Sequence, residues 1–285
     1  MATVGLVVHH QRHQAAELAA DAHSWLVDNG HEVRVLKVDV DVVGLPELAY
    51  SEATFSDGLD VAVSLGGDGT MLRTVDLVAE QDVPVVGVNV GQLGYLTEVE
   101  PADLLPALQR FLAGEYIIEE RMMLSVDTEI GGEVTRSPSA ALNEAVLEKT
   151  PMGHTVRLSI AINGEFFTTY AADGLIVATP TGSTAYSFSA RGPIVAPEHR
   201  ALVLTPVSPH MLFDRSMVFG PTTELRLTVV GHRPATLSVD GQNLGTLNER
   251  DSITCTASER SARLVTFGPR DFHRILKAKF GLNDR

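Results

Sequence analysis

One stretch limits what this chain can fold into more than any other. A mostly apolar segment at 59–65, carrying Asp60 and Ser64 among its aliphatic residues, enters Gly66-Gly67-Asp68-Gly69-Thr70, and a helix-patterned segment follows through 79. A short, mostly apolar segment closed by glycines is the pattern of a strand buried on both faces, the kind found in parallel sheets covered by helices. The same alternation flanks it. Residues 4–8 read as a strand, and 13–27 as a helix with Ala16, Leu18, Ala19, Ala22, Trp25 and Leu26 at helical spacing, ended by Asn29-Gly30. Residues 31–38 read as a second strand, 40–56 as an irregular connection, 83–90 as another strand and 101–112 as a helix. Right-handed crossovers make such strands parallel neighbours, so residues 1–118 are expected to form a doubly wound α/β domain.

The pattern changes after residue 118. Strands are expected at 123–130, 156–162, 165–170, 202–206, 224–230, 236–239 and 252–256, with Asn163-Gly164 and Asp240-Gly241 as two-residue hairpin turns. Residues 119–257 therefore read as a second, β-rich domain of sandwich type. The tail, 258–285, carries a helix over 271–280 with Phe272, Ile275, Leu276 and Phe280 on one face. With 285 residues, 44% hydrophobic and 20% charged, the chain has ample material for two cores. A net charge of −14 argues against nucleic acid as a partner. No apolar segment approaches the ~20 residues of a membrane span, so no membrane association is expected. The lone Cys255 rules out an intrachain disulfide and fits a reducing, cytoplasmic setting. His9, His10 and His13 cluster without a second set of ligands, and strand-end histidines are the plainer reading.

Three places carry chemistry. Glycines at a strand-to-helix turn let backbone N–H groups approach phosphate oxygens, which makes Gly66, Gly67 and Thr70 the candidate phosphate binders. The turn lacks the Gly-Lys-Ser/Thr ending of a Walker loop. A carboxylate in such a turn repels phosphate unless it has a chemical role. Asp68 is open to accepting a proton from an attacking hydroxyl or to holding Mg²⁺, against the plain reading of an exposed turn residue. Arg73, one turn on, is placed to offset phosphate charge. Asn143-Glu144 lies in an apolar context, where a buried amide and carboxyl need partners such as a ribose diol or an adenine amine. The stretch 173–193 holds seven hydroxyls (Thr179, Thr181, Ser183, Thr184, Tyr186, Ser187, Ser189) and two charges, Asp173 and Arg191. So many neutral donors and acceptors suit a polyhydroxylated ligand with a base. Gln242, after Asp240-Gly241, is a plausible amide contact.

Taken in order, Gly66-Gly67-Asp68-Gly69-Thr70, Asn89-x-Gly91-x-Leu93-Gly94-Tyr95, Asn143-Glu144, and Asp173-Gly174 leading into Thr179-Pro180-Thr181-Gly182-Ser183-Thr184-Ala185-Tyr186-Ser187 resemble the NAD kinase family. The first motif is shared with diacylglycerol, sphingosine and 6-phosphofructokinase relatives; the last is highly specific. The resemblance implies an α/β domain plus a C-terminal β-sandwich, with the end of the chain returning to the first domain. It implies phosphoryl transfer from ATP, or polyphosphate, to the 2′-hydroxyl of the adenosine ribose of NAD, giving NADP, with Mg²⁺ or another divalent metal, in a homo-oligomer (dimer or tetramer).

Carried over by position, the resemblance makes Asp68 the base, with Gly69 beside it. Tyr95 provides an aromatic contact where relatives usually have Phe. Asn143 and Glu144 bind polar groups of NAD, and His154 stands near the dinucleotide. Asp173, Thr184, Ala185, Tyr186, Ser187 and Ser189 line its site, and Gln242 follows Asp-Gly as in relatives. Two departures stand out: Arg191 replaces a glycine of the common Ser-Ala-Gly-Gly-Pro run, and Ala171 replaces a basic residue found in some relatives, with His154 and Arg191 as candidates to compensate. The competing readings are a kinase of the same glycine-turn type acting on a lipid or sugar phosphate, and a dinucleotide sensor without activity. No long apolar channel or basic membrane patch is evident for the first, and the intact Asp68 speaks against the second.

Overall fold

The computed structural model describes residues 1–91, 94–136, 140–151 and 154–282, so Gln92 and Leu93 of the motif at 89–95 lie outside the described residues. The chain divides into two compact units, Met1–Glu120 with Ala262–Arg285, and Arg121–Ser261.

In the first unit, strands β1 (Thr3–Val8), β2 (Glu32–Leu36), β3 (Ala49–Tyr50), β4 (Val61–Gly66) and β5 (Val85–Asn89) are parallel in the order β5-β4-β1-β2-β3. They alternate with α1 (His13–Asp28), α2 (Val40–Val43), α3 (Glu52–Phe55), α4 (Asp68–Val78) and α5 (Leu104–Leu112). All six residues of β4 are buried, as its mostly apolar sequence requires of a central strand. Helix α1 buries Ala15, Ala19, Ala22 and Leu26, leaves Ala16, Leu18 and Trp25 at the flanks, and ends where Gly30 takes a left-handed φ of +77°. The stretch 40–56, expected to be irregular, holds α2, α3 and β3. Elements of two to four residues are too short to show a period. The expected helix over 101–112 begins as a 3-10 turn, Pro101–Asp103, and becomes α5.

The second unit is a sandwich of antiparallel sheets. One contains β6 (Ile117–Ile130), β7 (Glu133–Arg136), β9 (Val156–Ile162), β10 (Glu165–Ala172), β14 (Leu225–Val229) and β17 (Ser252–Thr266). The other runs β13 (Met217–Phe219), β12 (Leu202–Val207), β11 (Gly174–Ala178), β8 (Glu144–Lys149), β15 (Ala235–Val239), β16 (Gln242–Leu247). Leu158, Ile160, Leu225 and Leu227 of the first meet Leu147, Leu175, Val177 and Leu237 of the second in one core. On the outer face of the second sheet, Val146, Ile176 and Val203 are covered by Ala190 and Val195. Coverage on both sides explains why β11 is a continuous apolar run in an antiparallel sheet.

The strands expected at 123–130 and 252–256 are longer, 14 and 15 residues. Charged residues, Glu119-Glu120-Arg121 near the start of β6 and Glu259-Arg260 in the middle of β17, interrupt the apolar alternation without ending the strand. The far end of β17 belongs to the first unit, where Leu264 pairs in parallel with Val85. After it comes α6 (Phe272–Phe280), whose Asp271 cap accepts from the Arg274 N–H at 3.1 Å. The apolar face expected for this helix is only half covered: Phe272, Ile275 and Leu276 are partly buried and Phe280 is exposed. Among the described residues no helix is long and apolar enough to cross a membrane.

Candidate active site

The glycine turn is the start of α4. Gly67 is the N-cap and Asp68 the first helical residue, so the free N–H groups of the first turn face the space beyond β4. Gly66 is required sterically, since a Cβ there would lie 2.1 Å from the buried Thr70 Oγ1. The Asp68 carboxylate is not loose. One oxygen accepts from the Tyr95 N–H at 2.8 Å and the other from the Leu96 N–H at 3.0 Å. Gly94 makes room for it, because a Cβ at Gly94 would stand 2.1 Å from Asp68 Oδ1. Burial, and then the Asp68 charge, push the Tyr95 phenol above its usual value, while the Lys279 ammonium lies over the Tyr95 ring at 4.2 Å.

Around the turn is a cavity of about 590 Å³ whose wall includes Gly67, Asp68, Gly69, Arg12, Arg73 and Lys279. Among the described residues that line it, Asp68 is the one acid, so the cavity is cationic around a fixed carboxylate. Arg12 donates to the Val90 carbonyl, and Gly91, at φ +127°, leaves space for its guanidinium. Arg73 is held from behind. The fully buried Asp39 accepts from Arg73 at 2.9 Å and from the Val8 N–H at 3.0 Å, and its Oδ1 lies 2.5 Å from His10 Nε2. His10 is thus paired with a carboxylate, and His13 lies 3.1 Å from Glu17. Among the described residues no group of three or more His, Cys, Asp or Glu is arranged to hold a metal ion.

In the second unit, the tip of β8 is organised by Asp240 in the β15–β16 turn. Its carboxylate accepts from the N–H groups of Leu142, Asn143 and Glu144 at 2.7, 2.8 and 3.0 Å. The Thr179 N–H donates to the Asn143 carbonyl at 2.9 Å and the Thr179 hydroxyl to the Leu142 carbonyl at 2.6 Å. A Cβ at Gly182 would stand 2.1 Å from the Asn143 carbonyl, so the approach of these segments needs glycine. Glu144 is buried with Oε2 unpaired, and burial, then the Asp240 charge, raise its pKa to about 8 despite the Tyr186 N–H that faces it. Both causes favour its neutral form, which can donate a hydrogen bond.

The hydroxyl-rich stretch divides in two. Thr179, Thr181, Ser183 and Ser187 are buried, and their hydroxyls serve the fold: Ser183 Oγ donates to the Pro180 carbonyl at 2.6 Å, and Ser187 Oγ lies 2.9 Å from Thr205 Oγ1. Thr184 and Ala185 are partly accessible, and Tyr186 and Ser189 are exposed. In the 3-10 turn over Thr181–Thr184, the Thr184 hydroxyl donates back to the Thr181 carbonyl at 3.1 Å. Tyr186 and Ser189 line a cavity of about 680 Å³ with Arg191, Pro206, Asp214 and Arg215. Burial, and then Glu148, push the Tyr186 phenol up. Asp173 is paired with Lys149 of β8 at 2.9 Å. His154 is exposed ahead of β9, and Gln242 is exposed at the start of β16.

The structure thus gathers Gly67, Asp68, Gly69, Thr70 and Arg73 with Tyr95 nearby in one unit, and Asn143, Glu144 and Tyr186 in the other. Arg12, Asp39, Lys279 and Arg270 were not singled out by sequence. Arg12 could have been found, since it follows a parallel strand at the carboxyl edge where open α/β sheets bind ligands. Lys279 and Arg270 reach this loop from the far end of the chain, and no local pattern marks them.

Known proteins match the chain along both units. Residues 4–116 match the family described as ATP-NAD kinase N-terminal domain, and residues 142–267 the ATP-NAD kinase C-terminal domain. An NAD kinase of Heliobacterium modesticaldum is 44% identical over 98% of each chain, and one of Moorella thermoacetica is 39% identical over 98% of this chain and 89% of its own. Among solved structures, yeast NADH kinase complexed with NADH superposes with a TM-score of 0.89 at 25% identity, covering all of this chain and 89% of that one. An NAD kinase from Archaeoglobus fulgidus in complex with ATP shares the fold, with a TM-score of 0.74 at 24% identity over 99% of each chain.

Proposed function

The chain belongs to the NAD kinase family, and we infer that it transfers a phosphoryl group from ATP to the 2′-hydroxyl of the adenosine ribose of NAD, giving NADP and ADP. The observation that carries the mechanism is a carboxylate fixed by two backbone N–H groups in the wall of a cationic cavity at a helix N-terminus. The ribose oxygen attacks the terminal phosphorus, the bond from that phosphorus to the bridging oxygen of ADP breaks, and Asp68 accepts the hydroxyl proton as the new bond forms. The N–H groups of Gly67 and Gly69, in the turn closed by the Thr70 N–H bond to the Gly67 carbonyl, hold the negative charge of the phosphates together with Arg73, Arg12 and Lys279.

A divalent cation such as Mg²⁺ fits the site as an ion carried by the donor's phosphates. Mg²⁺ is commonly bound through one or two carboxylates plus substrate oxygens, and Asp68 is the carboxylate available. When bound it neutralises charge on the transferring group.

The dinucleotide is proposed to contact Asp68, Gly69, Arg73 and Tyr95 in the first unit. In the second, Asn143 and the neutral Glu144 carboxyl offer an amide and an O–H to ribose or base, with Asp173, Thr184, Ala185, Tyr186 and Ser189 as its other accessible contacts. Ser187 supports these from within the fold, and His154 and Gln242 complete the set. A lipid or sugar phosphate acceptor is not favoured, because the relatives are NAD kinases over nearly the whole chain. Self-association is also proposed, motivated by the exposed apolar group Phe166, Leu212 and the edge-to-face pair Phe167–Phe213. The buried Cys255 fits a cytoplasmic setting.

The test is NADP formation from NAD and Mg²⁺ with ATP or polyphosphate in parallel. Asp68→Ala is expected to lower turnover by ~10²-fold or more while NAD still binds. Unchanged turnover removes Asp68 as the base, and NADP formed with polyphosphate alone removes ATP as the donor.

A further inference from the structure

Asp68 is oriented by a loop, and the loop is itself held by the chain's C-terminal segment. The Arg270 guanidinium donates to the Tyr95 carbonyl at 2.5 Å and reaches the Thr97 carbonyl at 3.4 Å. Its side chain is only 10% exposed, and Nη1 lies 3.9 Å from the Glu119 carboxylate. The Tyr95 carbonyl and the Leu96 N–H belong to one peptide unit. Arg270 therefore grips the same rigid plane whose opposite edge donates to Asp68 Oδ1 at 3.0 Å. The Tyr95 N–H, at 2.8 Å from the other carboxylate oxygen, fixes the second direction, and Lys279 packs over the Tyr95 ring.

We propose that Arg270 is a positioning residue for Asp68, acting through the peptide between Tyr95 and Leu96. Two physical effects run through that plane. A peptide is planar, so holding its oxygen fixes the direction of its N–H. A cation on the carbonyl also draws electron density from the amide and strengthens the N–H as a donor, the cooperative polarisation expected of linked hydrogen bonds in a low-dielectric site. Without Arg270 the loop keeps its place in the chain but loses the constraint that aims it, and the Asp68 carboxylate gains freedom to rotate away from the attacking hydroxyl. Arg270 donates to backbone carbonyls on the side of the loop away from Asp68, so its loss acts on turnover rather than on substrate affinity.

The role of Arg270 rests on the reading of Asp68 as the base, and the experiment separates the two. Arg270→Ala, Arg270→Gln and Arg270→Lys are compared with the parent protein for kcat and for KM of NAD and ATP, each variant checked by circular dichroism and thermal melting. Arg270→Ala is expected to lower kcat by ~10- to 100-fold with both KM values within about 2-fold, the scale of a misaimed catalytic group. Arg270→Lys and added guanidinium ion each restore part of the loss. In an Asp68→Asn background, Arg270→Ala is expected to change the residual rate by less than about 2-fold, because the two residues act as one unit.

A kcat within about 2-fold of the parent for a folded Arg270→Ala, or an equal loss in both backgrounds, overturns the proposal and leaves Asp68 untouched. If Asp68→Ala itself leaves turnover unchanged, the base assignment falls and Arg270 falls with it. Should Arg270→Ala not fold, Arg270→Gln and Arg270→Lys carry the same comparison.

Discussion

Gly94→Ala tests the geometry of the proposed base without replacing any ionisable group. A methyl carbon at Gly94 would stand 2.1 Å from Asp68 Oδ1 and 2.8 Å from Thr97 Oγ1. Carbon–oxygen contacts settle at about 3.3 Å or more, so the carboxylate has to retreat by roughly 1.2 Å. That retreat breaks or lengthens the bonds from the Tyr95 and Leu96 N–H groups, now 2.8 and 3.0 Å. A displacement near 1 Å at a reacting group is worth about 10²-fold in rate. The accompanying overpacking is expected to cost about 1–3 kcal/mol of stability. The assay is NADP formation coupled to an NADP-specific dehydrogenase, read beside a thermal melt. Gly220→Ala serves as the control, since a Cβ there meets nothing within 4 Å. If Gly94→Ala keeps kcat within about 3-fold of the parent, the carboxylate position between the Tyr95 and Leu96 N–H groups is not the one that chemistry uses.

Further outcomes are expected from other parts of the molecule. Glu144 has a folded pKa of about 8 against an ordinary value of 4.5, so its neutral form favours the fold. That contribution is complete below about pH 4.5 and is lost as the pH rises through 8. The melting temperature should therefore fall from pH 5 to pH 8.5, and Glu144→Gln should flatten that fall; a parallel curve refutes it. Asp39→Ala strips the partner of Arg73 and His10 and orphans the buried Val8 N–H, an expected loss of about 2–4 kcal/mol in urea unfolding. Light scattering should find a dimer or tetramer, and Phe166→Asp should shift it toward the monomer; a monomeric parent protein removes the self-association proposal.

The sequence determined the architecture of the first domain and the family. Strands buried on both faces, such as β4, are mostly apolar, and a glycine turn between such a strand and a helix marks the edge where these sheets bind ligands. The hairpins at Asn163-Gly164 and Asp240-Gly241 were likewise legible, because left-handed φ values favour few residue types. The lengths of β6 and β17 were not, since both strands continue through charged residues that break the apolar pattern.

Which hydroxyls of 173–193 are used by the fold was decided only by tertiary structure. Burial, not residue type, assigns Ser183 to the Pro180 carbonyl and Ser187 to the Thr205 hydroxyl. Arg191 is a departure from the family pattern that sequence could flag but not place; folded, it occupies a left-handed φ of +67° that glycine would take without strain. Asp68 itself shows the division most plainly. Its place in the glycine turn was written in five consecutive residues, whereas its orientation depends on Gly94, on two N–H groups of the loop at 95–96, and on Arg270 from the far end of the chain. Hydrogen bonds act over about 3 Å of space whatever the separation along the chain. The groups that hold this carboxylate therefore leave no local trace in the sequence.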